Sequence, residues 1–397
     1  MTKPKFGLLA FIAVLAIAMV VRPPVAVMGP LLDEIQQSLL LSTQLVGLLA
    51  AAPVLCFGAG AFASPWIVRK IGVDHTMLWV LIGLIAASVE RAFFGYLGLL
   101  IGTVEVGLSI AVANVLLLTI VRSRFPNHIP LVTGAYTTVV AITASLAATI
   151  AVPTSTLFGG WGFALLLWAF PMLLALLLWV PQVRRADPHV IQTVGASDDH
   201  RRTLNRSSQA WAIVAFFGFQ SVGFYAILGW LPLSLISIGL SPDEAGTYLG
   251  LTGAIGIPVG LFVSSLLGKF KRLSWWAAGS SVLNLFGYLG LTFVIQTRDH
   301  TWLLLICAVL SFGLQSTFPI ALSLVGTRAT AGPQTTQLSS MAQGWGYLFA
   351  AAASYAVGLL ASIFHSYAAG FGFVALISLV QAVIGFYAGS ERTLTKK

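Results

Sequence analysis

Residues 6–28 read FGLLAFIAVLAIAMVVRPPVAVM, an apolar run that contains one charge, Arg22. A bilayer hydrocarbon core about 30 Å thick takes roughly 20 residues of helix, so this run is long enough to span one. A guanidinium placed inside it costs roughly 2.5–3.5 kcal/mol on insertion scales. A chain keeps such a charge where a partner or a ligand offsets that cost, so Arg22 marks a candidate site as well as a span. Pro23 and Pro24, directly after it, predict a kink that frees backbone carbonyls, as helices lining a cavity allow.

The same pattern recurs along the 397 residues. The chain is 58% hydrophobic and 8% charged, against about 25% charged in soluble domains, which excludes a soluble protein with a single anchor. Apolar runs predict spans at 6–28, 44–68, 75–94, 97–121, 130–152, 162–180, 210–236, 246–268, 274–295, 302–326, 338–360 and 367–389, an all-α membrane protein of twelve helices. The first run lacks a small-residue cleavage site and is followed by further spans, so it reads as a retained helix. The polar stretch 181–208 separates six helices from six. The expected organisation is a bundle at 1–180, a linker at 181–208 and a bundle at 209–397.

The net charge of +9 lies in short clusters between spans, which argues against a nucleic-acid surface and for the positive-inside rule. With the N-terminus inside, 18 Lys and Arg fall on the inner side. Arg91 and Arg298 are left in outer loops with Asp33, Glu34, Asp243 and Glu244. Both termini are therefore expected in the cytoplasm.

A second intramembrane charge is Glu105. Arg22 precedes Pro30 by eight residues, and Glu105 follows Leu97 by eight. At 1.5 Å rise per residue both lie at similar depth, which permits a pair. Glu105 then either neutralises Arg22 or carries a coupling proton. The uncharged polar set is Asn114, Tyr136, Gln220, Tyr225, Gln315, Gln343 and Tyr347. Their amides and phenols offer donors and acceptors to a small polar solute, or bond helix to helix. Asn284 reads as packing. Trp79, Trp161, Trp179, Trp230, Trp275 and Trp276 lie near span ends and read as interfacial anchors. Cys56 and Cys307 read as small core residues. The six His form no metal-ligand pattern with Asp or Glu, so neither a metal nor a cofactor is expected.

The halves echo one another at an offset of about 200 residues, as parallel repeats do. Gly29-Pro30-Leu31-Leu32 answers Trp230-Leu231-Pro232-Leu233, and Ser42-x4-Gly47 answers Ser241-x4-Gly246. Basic clusters follow the second and eighth spans. Twelve helices in two halves with a basic connector resemble the major facilitator superfamily. Arg22-Pro23 with Gly29-Pro30-Leu31-Leu32 resembles the Arg-Pro…Gly-Pro-Leu-Leu signature of the cyanate and 2-nitroimidazole transporter family. So do Asn114-Val115-Leu116-Leu117, Arg124-Phe125-Pro126, Leu131-x-x-Gly134-Ala135-Tyr136, Gly229-Trp230-Leu231-Pro232 and Met341-Ala342-Gln343-x-x-Gly346-Tyr347. There are departures. The superfamily's second-to-third-span pattern survives only around Arg69-Lys70, Gly72 and Asp74, its antiporter motif is absent at Ala147–Pro153, and Glu105 stands where the family expects an apolar residue.

The resemblance implies that the first, fourth, seventh and tenth spans line a central cavity, which would bring Arg22, Glu105 and the polar set to a small solute. It implies a monomeric inner-membrane secondary transporter working by alternating access and coupled to protons. Its cargo would be a small anion such as cyanate, or a nitroimidazole-like heteroaromatic. The alternative is an exporter of larger hydrophobic drugs, which would depend little on Arg22. An intramembrane enzyme would need a nucleophile–base or metal constellation that one Glu does not supply. The orientation is testable with alkaline phosphatase fusions in a bacterial host. A fusion after His300 should be active and one after Arg328 inactive; the opposite pattern would overturn it.

Overall fold

The computed structural model describes residues 7–184, 204–267, 272–329 and 332–390. Most of the expected linker, residues 185–203, lies outside them. The chain divides into two compact units, Met1–Arg201 with Ala331–Ser340, and Arg202–Thr330 with Met341–Lys397.

In the first unit the opening span is broken into α1 (Leu8–Val20), α2 (Pro23–Ala26) and α3 (Met28–Ser38). The cause is local: Pro23 and Pro24 have no N–H to give to the carbonyls of Met19 and Val20, and their rings crowd the preceding turn. Proline is well suited to the first turn of a helix, so the chain restarts at Pro23. Then follow α4 (Thr43–Ile71), α5 (Val73–Phe93), α6 (Gly95–Arg124), α7 (Ile129–Phe158), α8 (Trp161–Leu166) and α9 (Ala169–Arg184).

Small residues let these helices approach closely, as membrane helices do. A Cβ on Gly60 of α4 would fall 2.7 Å from Ala111 Cβ and 2.9 Å from the Leu108 carbonyl of α6. A Cβ on Gly102 of α6 would fall 2.8 Å from the Ala87 carbonyl of α5.

The second unit holds α10 (Ser208–Ser237), α11 (Pro242–Leu266), α12 (Leu273–Thr297), α13 (Leu303–Arg328), α14 (Gly332–Phe364) and α15 (Tyr367–Ala388). The first turns of α14, to Ser340, cluster with the first unit. Ser241 and Glu244 form a reciprocal capping box at the start of α11, which satisfies two donors of a helix start at once. Although α10 echoes the opening span in sequence, it stays continuous over 30 residues. It has a single Pro232 near its end where the opening span has two adjacent prolines. Among the described residues, eleven stretches are long and apolar enough to cross a membrane. The 29-residue α4 fills the remaining place of the expected twelve.

Three expectations are corrected. Arg91, expected in an outer loop, is buried at 2% exposure in the last turn of α5. Glu34, expected as an outer-loop charge, lies in α3 and accepts the Ser155 hydroxyl of α7 at 2.6 Å to each carboxylate oxygen. It also accepts the backbone N–H of Trp161, the first residue of α8, at 3.0 Å, where a helix start favours negative charge. Trp179, expected as an interfacial anchor, is fully buried and donates to the Asp74 carbonyl at 2.9 Å.

Asp74, a remnant of the second-to-third-span pattern, has its role inside this unit. Its carboxylate takes Arg124 at 2.6 Å, Arg124 also donates to Gln182 at 2.8 Å, and the guanidinium lies 4.8 Å from the Trp179 ring centre. Asp74→Asn keeps the shape and removes the charge. With both side chains 21% exposed, solvent screens part of the pair, so a loss of about 1 kcal/mol is expected, within the range for charged hydrogen bonds. A thermal melt of the purified variant should move downward; an unchanged melt would mean the network adds nothing.

Candidate functional site

Arg22 sits at the break. It is the residue between α1 and α2, with φ −114° and ψ −40°, and its carbonyl accepts the N–H groups of Val25 at 3.1 Å and Ala26 at 3.0 Å. Its side chain is partly buried. The backbone turn thus places a guanidinium beside a helix interruption, the arrangement by which discontinuous membrane helices present polar groups at depth.

The break is braced from α5. Arg91 donates from Nη1 to the Pro24 carbonyl at 2.7 Å, and its Nη2 lies 3.6 Å from Met28 Sδ. Its Nε has no hydrogen-bond partner among the described residues. Gly102 of α6 makes the space, since a Cβ there would fall 2.6 Å from Arg91 Cγ. Nothing in the sequence near Arg91 marked it; the glycines at 98 and 102 were the signal, because they let α6 close on α5 where this side chain must pass.

Glu105 lies partly buried on α6. Among the described residues it makes no hydrogen bond or ion pair. One oxygen of Glu90 of α5, Oε2, is buried without a hydrogen-bond partner among the described residues. Asn114, two turns further along α6, is partly buried and has no hydrogen bond to another described residue. Tyr136 is buried in α7, at 4% exposure.

In the second unit, α10 and α14 bring together several expected residues. Tyr347 meets Phe217 edge to face at 6.1 Å between ring centres, and Tyr225 at 6.3 Å. Tyr225 also meets Phe224 at 5.4 Å. Such edge-to-face pairs fix ring orientation. The Tyr225 hydroxyl is buried with no partner among the described residues, so an acceptor or donor brought to it would gain a full hydrogen bond. Gln343, one turn before Tyr347 on α14, is buried. Gln220 is buried as well, and its amide donates to the Ser221 hydroxyl at 2.8 Å. Gln315 is not part of this group. It is partly buried on α13 with its side chain packed over Gly256 of α11.

Asn284 packs against Gly313 of α13. A contact that sequence reading missed joins α12 to α10: Tyr288 donates to the Gly223 carbonyl at 2.7 Å and stacks on Phe371 at 6.2 Å and 16°. No group of three or more His, Cys, Asp and Glu among the described residues is placed to hold a metal.

Comparison with known proteins follows the same lines. The family model described as Major Facilitator Superfamily matches residues 6–353. A 2-nitroimidazole transporter of Escherichia coli (strain K12) is 33% identical over 382 residues, covering 96% of this chain and 95% of that protein. The cyanate transport protein CynX of the same strain is 24% identical over 361 residues, covering 89% and 90%. Among solved structures, the proton:xylose symporter XylE bound to 6-bromo-6-deoxy-D-glucose superposes with a TM-score of 0.78 at 13% identity, covering 94% of each chain.

Two tyrosines in this unit make a controlled comparison. Tyr225→Phe removes a buried hydroxyl that has no partner among the described residues, and Tyr288→Phe removes one that is bonded at 2.7 Å. The first should leave the thermal midpoint unchanged or raise it, and the second should lower stability by about 1 kcal/mol. Equal effects in the two melts would contradict the assignment.

Proposed function

The chain belongs to the Major Facilitator Superfamily, and we propose that it moves a small polar solute across the inner membrane by alternating access. The observation that carries this reading is Arg22 at the break in the opening span. A guanidinium offers planar, paired donors that match a carboxylate, a nitro group or a linear anion. The cargo we assign is a nitroimidazole-like heteroaromatic, with a small anion such as cyanate as the second candidate. The relative named for 2-nitroimidazole aligns over nearly the whole of both chains. The aromatic edges of Tyr225 and Tyr347, with the unpartnered Tyr225 hydroxyl, suit a flat polar ring better than a linear ion.

In this reading the bundles are 1–180 and 209–397, joined by the linker 181–208, the termini face the cytoplasm and the protein acts as a monomer. Asn114, Tyr136, Gln220, Gln315 and Gln343 supply further polar contacts to the solute. Transport is coupled to a proton held at Glu105, the carboxyl group within the span Gly95–Arg124.

Ligand stabilisation tests the binding half of the proposal. A ligand that binds the folded state raises the melt by mass action, by about 2.7 kcal/mol at a hundredfold excess over Kd. 2-Nitroimidazole or cyanate should raise the melt of the wild type, and Arg22→Ala should abolish that rise. A rise that survives Arg22→Ala removes the residue from the site. Coupling is tested by Glu105→Gln in proteoliposomes, where uptake against a gradient should be lost while exchange of solute for solute continues. Accumulation equal to wild type would end the proton assignment.

A further inference from the structure

The third span of each unit places one buried polar side chain on a carbonyl of that unit's first span. In the second unit it is Tyr288 of α12 on Gly223 of α10 at 2.7 Å. In the first it is Arg91 of α5 on Pro24 at 2.7 Å. The two pairs are separated by 197 residues between donors and 199 between acceptors, close to the repeat offset read from the sequence. The braces differ in what they hold. Gly223 lies within a continuous helix, and a neutral phenol serves it. Pro24 lies in the first turn of α2, two residues after Arg22.

The four-residue α2 lies between interruptions at Arg22 and Val27, whose own backbones stay in the right-handed helical region. A modest change in the dihedrals at either end would re-aim this short helix and residue 22 with it. Arg91 supplies the hold through two contacts, the Pro24 carbonyl and Met28 Sδ, and so spans the junction from α2 to α3. Its stem is confined by Gly102, and its guanidinium is out of contact with solvent. A cation so buried cannot itself bind the solute in this arrangement.

We infer that Arg91 is a positioning residue for solute recognition: seated on the Pro24 carbonyl, it fixes the break in the opening span and thereby the direction in which Arg22 presents its charge. The inference rests on the reading of Arg22 as the solute's anchor, and one arm of its test stands without that reading.

The first arm measures binding of 2-nitroimidazole to purified wild type, Arg91→Met, Arg91→Lys, Arg22→Ala and the double variant Arg91→Met/Arg22→Ala. Arg91→Met should weaken binding at least tenfold. Arg91→Lys, which keeps one donor, should recover most of that loss. The double variant should bind no more weakly than Arg22→Ala, because residues that act through one another are not additive. Independent, multiplying losses, or wild-type binding by Arg91→Met, would overturn the proposal. If Arg91→Met does not fold, the comparison runs on Arg91→Lys, for which a loss of about threefold, absent on the Arg22→Ala background, is the supporting result.

The second arm needs no solute. In a chain with Cys56 and Cys307 replaced by Ala, Arg22→Cys is labelled with a charged thiol reagent, with and without Arg91→Met. A change of fivefold or more in the labelling rate supports the positioning role, and an unchanged rate defeats it. If 2-nitroimidazole binding proves indifferent to Arg22→Ala while the labelling rate does change, the reading of Arg22 fails and the bracing by Arg91 stands.

Discussion

Two adjacent prolines cannot give N–H groups to the carbonyls of Met19 and Val20, and the first unit is arranged around that shortage. The opening span breaks at Arg22, restarts at Pro23 and passes into α3 at Met28. A break at membrane depth is tolerated only where protein or a cavity receives the exposed backbone. Here α5 receives it through Arg91, α6 gives up side chains at Gly98 and Gly102 to let α5 approach, and α3 is tied to α7 and α8 through Glu34. The costly residues of this unit are thus linked: a charge at the break, a charge that braces it, and a carboxylate that anchors the far side.

The second unit handles the same repeat with less strain. Its opening helix is continuous, its brace is a phenol, and its polar interest lies in side chains instead of backbone. Tyr347 meets both Phe217 and Tyr225 edge to face, and the Tyr225 hydroxyl has no partner among the described residues.

Much of this was legible in the sequence. Apolar runs near 20 residues and basic clusters between them locate the spans, because bilayer thickness leaves little choice. The Arg-Pro-Pro string announces both the charge and the kink. What could not be read was lateral placement. Rise per residue put Arg22 and Glu105 at one depth, yet depth says nothing about which helix faces lie together. Arg91, Glu34 and Trp179 were misplaced for a related reason. Each lies near a span end, where position along the chain suggests water, and each is drawn into the protein because a partner from a distant segment meets it there: Pro24, Trp161 and Asp74.

The central claim is that the interrupted helix itself, and not merely the presence of an arginine, creates the binding function. It is tested most directly by restoring the helix. Pro23→Ala/Pro24→Ala returns two N–H donors to α1 while leaving Arg22 and Arg91 in place. The account predicts a protein at least as stable as wild type, since helix interiors gain from such a change by up to about 3 kcal/mol per proline. It also predicts an affinity for 2-nitroimidazole at least tenfold weaker. Affinity equal to wild type in a stable double variant would contradict it.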